Sequence, residues 1–244
     1  MKRYRWLLGC CLFLSIGMLW AADEPDLRML QQKAAQSRDM EGYVGVCKYL
    51  YQTEENPELL LLYADSIHQL ATKSKKPEQL VEYYIWASEG NFIKGDFQQG
   101  YALKRKAIAL AEKVGLKFAI SQSCCDMGYY CNVDARYDSA RYYFRKGLEA
   151  GEDLSEAGEA CRTMLTNYAS SFLFEGKTDS ALVYTIRASE RSAADKDTAM
   201  LIENLNQLGT IYRRKKDLEN CIANFEQALH LCELRGNHNA VAFI

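Results

Sequence analysis

Four small residues, Ser88, Gly128, Ala169 and Gly209, recur at an almost constant interval of about 40 residues. Each lies in a stripe with helical spacing: Tyr84, Ala87, Ser88 and Asn91; Cys124, Met127, Gly128 and Cys131; Leu165, Tyr168, Ala169 and Phe172; Leu205, Leu208, Gly209 and Tyr212. In the last three copies a second small residue, Ala140, Ala181 or Cys221, follows the first at one fixed offset. It opens a second stripe: Ala140, Phe144 and Gly147; Ala181, Tyr184 and Ala188; Cys221, Phe225 and Ala228. Turns fall between the two stripes, at 134–138, at Gly176 and at 215–217, and the earliest copy turns at Gly95 before Gly100 and Ala107. Two stripes and a turn make a helix hairpin. One hairpin of this length cannot bury its own apolar faces, so the hairpins must stack on one another.

This pattern resembles the tetratricopeptide repeat (TPR) family, in which a large apolar residue, Leu-Gly, Tyr, and then Ala, Phe and Ala recur at set offsets. The resemblance runs from Gln79 to Leu234 and is fullest in the last three copies. The chain departs from the family at Cys124 and Cys131, at Thr185 in place of the second-helix Phe, and in lacking a terminal proline. Its period of about 40 also exceeds the family's roughly 34. The fold implied is all-α: a right-handed superhelical solenoid of antiparallel helix hairpins. Gly128, Ala169 and Gly209 are expected where the helices of a hairpin cross, facing Ala140, Ala181 and Cys221.

The family places its groove residues on the first helices, at fixed offsets from the small marker. Here those are Cys125, Tyr129 and Asn132; Thr166, Ser170 and Leu173; and Asn206, Thr210 and Arg213. One turn earlier lie Gln122, Thr163 and Glu203. Such a wall of amides and hydroxyls suits an extended peptide, whose main chain needs hydrogen-bond partners. The resemblance therefore implies a scaffold whose partner is a protein or peptide. Cys125 and Tyr129 do not match the family members that clamp a chaperone's carboxylate tail.

The stretch 1–22 carries a basic head at Lys2, Arg3 and Arg5, an apolar run from Trp6 to Trp20, and Ala21-Ala22. This reads as a Sec-type export signal cut after Ala21 or Ala22, since the run is shorter than the roughly 20 apolar residues of a membrane span. The expected location is periplasmic or otherwise extracytoplasmic. In the whole chain Lys and Arg number 30 against 32 Asp and Glu, and the signal takes with it three of the cations and none of the anions. The mature balance is therefore more acidic still, which disfavours nucleic acid as a partner. The basic runs at 73–76 and 213–216 read as solvated helix ends.

Seven cysteines follow position 22, with Cys124, Cys131 and Cys221 at packing positions of the repeat, and no C-x-x-C pair occurs. They are read as buried thiols, and no metal or other cofactor is expected. Nor does the sequence offer a nucleophile with a base partner or a Gly-rich phosphate loop, so no catalytic residue is assigned and the chain is read as a non-enzyme.

In order, the reading gives an export signal at 1–22, irregular N-terminal helices at 23–76 that are either a cap or a degenerate repeat, TPR-like repeats at 77–236 and the start of a further, truncated repeat at 237–244. Directly before that last stretch, Gly236 follows Gly209 at the same interval at which Gly115 follows Ser88. This leads to the expectation of a longer protein. A second functional reading follows: the extracytoplasmic sensor segment of a bacterial signalling or transcription-regulatory protein.

Overall fold

The computed structural model describes residues 26–54 and 56–235, and within them the protein is all-α. Three helices come first: α1 (Leu27–Ser37), α2 (Met40–Thr53) and α3 (Pro57–Ser74). Eight more form four pairs: α4 (Pro77–Lys94) with α5 (Phe97–Val114), α6 (Lys117–Val133) with α7 (Tyr137–Gly151), α8 (Gly158–Phe174) with α9 (Thr178–Ala194), and α10 (Thr198–Arg214) with α11 (Leu218–Leu234). A short 3-10 turn, Ser155–Ala157, precedes α8. The expected export signal and the expected start of a further repeat both lie outside the described residues.

The described residues form two compact units. One runs to Met127 and takes in Glu149–Ala157; the other holds Gly128–Leu148 and the chain from Gly158 onward. Within the first unit, α1 to α5 pack in series, each on the next, and within the second α8 to α11 do the same. This serial packing of neighbours is what a helical repeat requires, because each hairpin buries its apolar stripes only against the helices next to it.

Local chemistry explains where the helices begin. Asp26, Asp39, Asn56, Asp96, Asp197 and Asp217 each accept a hydrogen bond from a backbone N–H of the first turn, and Pro57 and Pro77 open α3 and α4, where no N–H is required. The hairpin turns share one register. Gly95, Ala135, Gly176 and Lys216, all at the same offset from the small marker, have positive φ, at 92°, 57°, 82° and 62°. Only two of the four are glycine, so Ala135 and Lys216 hold a left-handed conformation that L-residues resist.

Packing inside the hairpins refines the expected crossing. A methyl group on Gly128 would stand 2.3 Å from a ring carbon of Phe144, and one on Gly209 would stand 2.7 Å from the ring of Phe225. The aromatic one turn beyond the small residue of the second helix thus fills the crossing, rather than Ala140 or Cys221 alone. In the other two copies the aromatic position holds Lys104 or Thr185, and there the marker keeps its Cβ, as Ser88 and Ala169. The marker is glycine only where a ring must lie on the backbone.

Candidate ligand-binding face

Replacing phenylalanine by a polar residue in a buried crossing demands hydrogen-bond partners. In the second unit Thr185 Oγ1 lies 2.8 Å from the Ala181 carbonyl and 3.1 Å from Gln207 Oε1, and Gln207 Nε2 donates to Ser170 Oγ at 2.7 Å. In the first unit the same three repeat positions hold Glu89, Lys104 and Asp126. The Lys104 ammonium, fully buried, donates to Glu89 and, at 3.0 Å, to Asp126. Burial alone would lower the pKa of Lys104; the carboxylates of Asp126 and Glu89 outweigh it and raise the pKa. The Glu89 charge, then burial and then Asp126, push the nearby Tyr51 phenol well above its usual range. Ser170, Thr185 and Gln207 are spaced along the chain as Glu89, Lys104 and Asp126 are, so a neutral triad and a charged triad occupy equivalent places.

Glu89, Lys104, Asp126, Thr185 and Gln207 do not stand out along the chain as a group. Their signal was available: a polar residue where the repeat reserves phenylalanine, with a second polar residue at a shared offset in the next hairpin.

The second unit joins its first helices side by side. Thr166 Oγ1 donates to Asn204 Oδ1 at 2.9 Å, and Asn204 Nδ2 donates to Ser192 Oγ at 3.1 Å. Arg162 holds Asp197 at 2.9 Å and Asp195 at 3.0 Å, and Arg214 donates to the Leu173 carbonyl at 2.8 Å. Lys215 pairs with Asp179. The basic run at 213–216 is therefore partly committed to the preceding hairpin, where the sequence suggested only solvated ends.

These contacts redistribute the residues expected to line a groove. Gln122 is exposed and Cys125 only 9% exposed, both in the first unit. In the second unit Tyr129 is half-buried, with its ring 5.5 Å from that of Tyr130. Asn132, 7% exposed, donates to the Asn167 carbonyl at 3.0 Å. Thr166 is 3% exposed and Ser170 half-buried, and both are spent on bonds to α10. Leu173 is buried in the core with Ala181 and Ile211. Cys125, Asn132, Thr166 and Leu173 do not line an open surface; the neighbouring helices cover them. Ser170 is bonded in the same manner as Thr166.

A narrower face remains on α8 and α10. Thr163, Glu203, Asn206 and Thr210 are half-buried and Arg213 is exposed. Along α10 the spacings of three, four and three put Glu203, Asn206, Thr210 and Arg213 on one stripe. None of these five side chains hydrogen-bonds or ion-pairs with another described residue, and Asn206 Oδ1 is buried without a donor. Burial, followed by the charge of Asp197, pushes the Glu203 carboxyl up to about 7. On the adjacent stripe the amides of Asn204 and Gln207 each donate and accept a hydrogen bond, so among the described residues α10 has one face committed to its neighbours and one uncommitted.

No family model matches the chain, and no curated protein matches it in sequence. Its fold is similar to that of solved structures. BtubC (BKLC) from P. vanneervenii superposes with a TM-score of 0.70 at 14% identity, over 87% of this chain and 89% of that one. Bacillus thuringiensis PlcR, solved with the peptide PapR7 and DNA, superposes with a TM-score of 0.55 at 13% identity, over 99% of this chain and 95% of that one. The likeness extends to the fold, and it agrees with the serial packing: the chain is an all-helical repeat protein.

Proposed function

We propose that this protein is a non-enzymatic TPR-type interaction module that binds an extended peptide or a protein segment on the first-helix face of its second unit. The observation that carries this reading is the contrast on α10. Asn204 and Gln207 are consumed by bonds to neighbouring helices, while Glu203, Asn206, Thr210 and Arg213, on the adjoining stripe, have no partner among the described residues. Half-buried polar groups held in a row by a rigid helix offer fixed hydrogen-bonding sites at low ordering cost, which an extended main chain can use. That PlcR was solved with a bound peptide supports a peptide-holding role for a fold of this kind.

The acidic balance of the chain after position 22 favours a protein partner over nucleic acid. The charge and hydropathy pattern at 1–22 supports a module that works outside the cytoplasm, exported by a Sec-type signal. No helix among the described residues is long and apolar enough to cross a membrane.

The test is to pan a display library of random dodecapeptides against Asp23–Ile244 and to repeat the binding with Thr163→Trp and Thr210→Trp together. These substitutions fill the face without touching the hydrogen bonds beneath it. Peptides that bind the parent and lose affinity for an equally helical variant establish the face. A library without binders, or binders indifferent to the substitutions, removes the reading.

The likeness of the fold to PlcR, which was solved with a peptide and DNA, supports a second reading. In it the repeats are the extracytoplasmic sensor segment of a longer regulator, and the same face receives the signal peptide. A membrane span encoded downstream of Ile244 supports this arrangement; a stop codon directly after Ile244 excludes it.

A further inference from the structure

We propose that Glu203 and Asn206 on α10 form a subsite for a cationic group of the ligand, either a lysine or arginine side chain or a free amino terminus; this inference rests on the peptide-binding reading above. Both residues present acceptors that no other described residue uses. Asn206 Oδ1 is buried with no donor. The Glu203 carboxylate is half-buried, and the charge acting on it is Asp197, which is of the same sign. Asp197 is itself committed: one oxygen caps the Met200 N–H at 3.1 Å and the other accepts from Arg162 at 2.9 Å. A buried acceptor without a donor is unfavourable, so Asn206 calls for a hydrogen-bond donor, and the Glu203 carboxylate beside it favours one that carries positive charge.

The geometry fits such a group. Three steps along a helix correspond to about 4.5 Å of rise, so the two acceptors lie one turn apart on one face, within reach of a guanidinium fork or an ammonium. The flanking amides of Asn204 and Gln207 cannot turn to satisfy Glu203, because both are held by α8 and α9. Thr163 occupies the equivalent position in the preceding copy, and its hydroxyl supplies another acceptor on the same face. Glu203 disfavours an anionic group at this end.

At the other end of the stripe stands Arg213, about 15 Å along the helix from Glu203. It is exposed and has no ion pair among the described residues. The face is thus dipolar, acid-lined near the start of α10 and basic at its end. It fits a ligand with a cation at one end and, about five extended residues away, a carboxylate.

The experiment takes peptides selected by the display panning, replaces each arginine with citrulline and each lysine with norleucine, and in a separate peptide acetylates the amino terminus. Kd is then measured by fluorescence anisotropy on the parent protein, on Glu203→Gln and on Asn206→Ala. The expected result is one basic position whose neutralisation weakens binding to the parent about 10- to 100-fold, and binding to Glu203→Gln by less than about threefold. Asn206→Ala is expected to show an intermediate loss.

If the selected peptides compete for the face but bind equally well without a basic group, the cation subsite is overturned and the peptide-binding reading stands. The same holds if neutralisation costs as much on Glu203→Gln as on the parent. If the library yields no peptide sensitive to Thr163→Trp with Thr210→Trp, both fail together.

Discussion

Gly128 lies beneath the ring of Phe144, so closely that a methyl group at 128 would stand 2.3 Å from a ring carbon. The same pairing holds for Gly209 and Phe225 at 2.7 Å, whereas the copies marked by Ser88 and Ala169 carry Lys104 and Thr185 at the position of the ring. Side-chain bulk in the two helices is therefore complementary within each copy. Gly128→Ala is expected to destabilise the second unit by about 1–3 kcal/mol, because a ring packed on helix backbone cannot withdraw without opening the hairpin. Ala169→Gly, with no ring to relieve, should cost only the roughly 1 kcal/mol of glycine inside a helix. Urea melts of both variants check this, and equal losses would contradict the complementarity.

The Lys104 triad allows a sharper test, because the protein contains its neutral counterpart. Lys104→Ala leaves Glu89 and Asp126 facing one another with little water, and is expected to cost about 3–5 kcal/mol. Replacing the whole set by Glu89→Ser, Lys104→Thr and Asp126→Gln copies Ser170, Thr185 and Gln207. That variant should recover most of the loss, since every buried polar group again has a partner at a spacing the repeat already uses. Thermal unfolding monitored by circular dichroism separates the outcomes: a triple variant no more stable than Lys104→Ala shows that the two triads are not interchangeable.

The turn register gives a stabilising prediction. Ala135 and Lys216 hold φ of 57° and 62° at the position that Gly95 and Gly176 occupy in the other copies. Ala135→Gly and Lys216→Gly should each raise stability by up to about 1 kcal/mol, the relief of left-handed strain exceeding the added freedom of the unfolded chain. Gly176→Ala should lose a similar amount. Melting temperatures that move in the same direction for all three substitutions would refute this.

The helices and their pairing were legible because the repeat period and the helical period can both be read along the chain. Pro57, Pro77 and the Asp and Asn caps stand where helices start. The fate of the polar side chains on the first helices was not legible, for a physical reason. Thr166 and Ser170 find their partners, Asn204 and Gln207, a whole repeat further on. An offset carried over from a repeat pattern gives the direction of a side chain, not whether the next helix meets it with a donor or with solvent. Lys104 was obscured similarly: taken alone it is one lysine of several, and it acquires meaning only with Asp126 in the following hairpin. Asn206 and Thr210 keep the uncommitted position their spacing suggests, because no partner stands opposite among the described residues.

Glu203 ties the uncommitted face to stability. Its carboxyl is pushed from 4.5 up to about 7, first by burial and second by Asp197, which Arg162 already engages. Below about pH 4.5 the group is protonated in both folded and unfolded chains and contributes no pH dependence. Between about 4.5 and 7 the unfolded chain ionises first, so stability falls as pH rises, and above about 7 the loss is complete. The full shift corresponds to at most about 3 kcal/mol, less to the extent that water reaches the half-buried side chain. Glu203→Gln removes the ionisation while keeping the shape. It is therefore expected to melt higher than the parent at about pH 8 and at the same temperature at about pH 4.5. A difference that stays constant across that interval would show that Glu203 ionises normally, and would leave α10 without the desolvated carboxylate that distinguishes its open face.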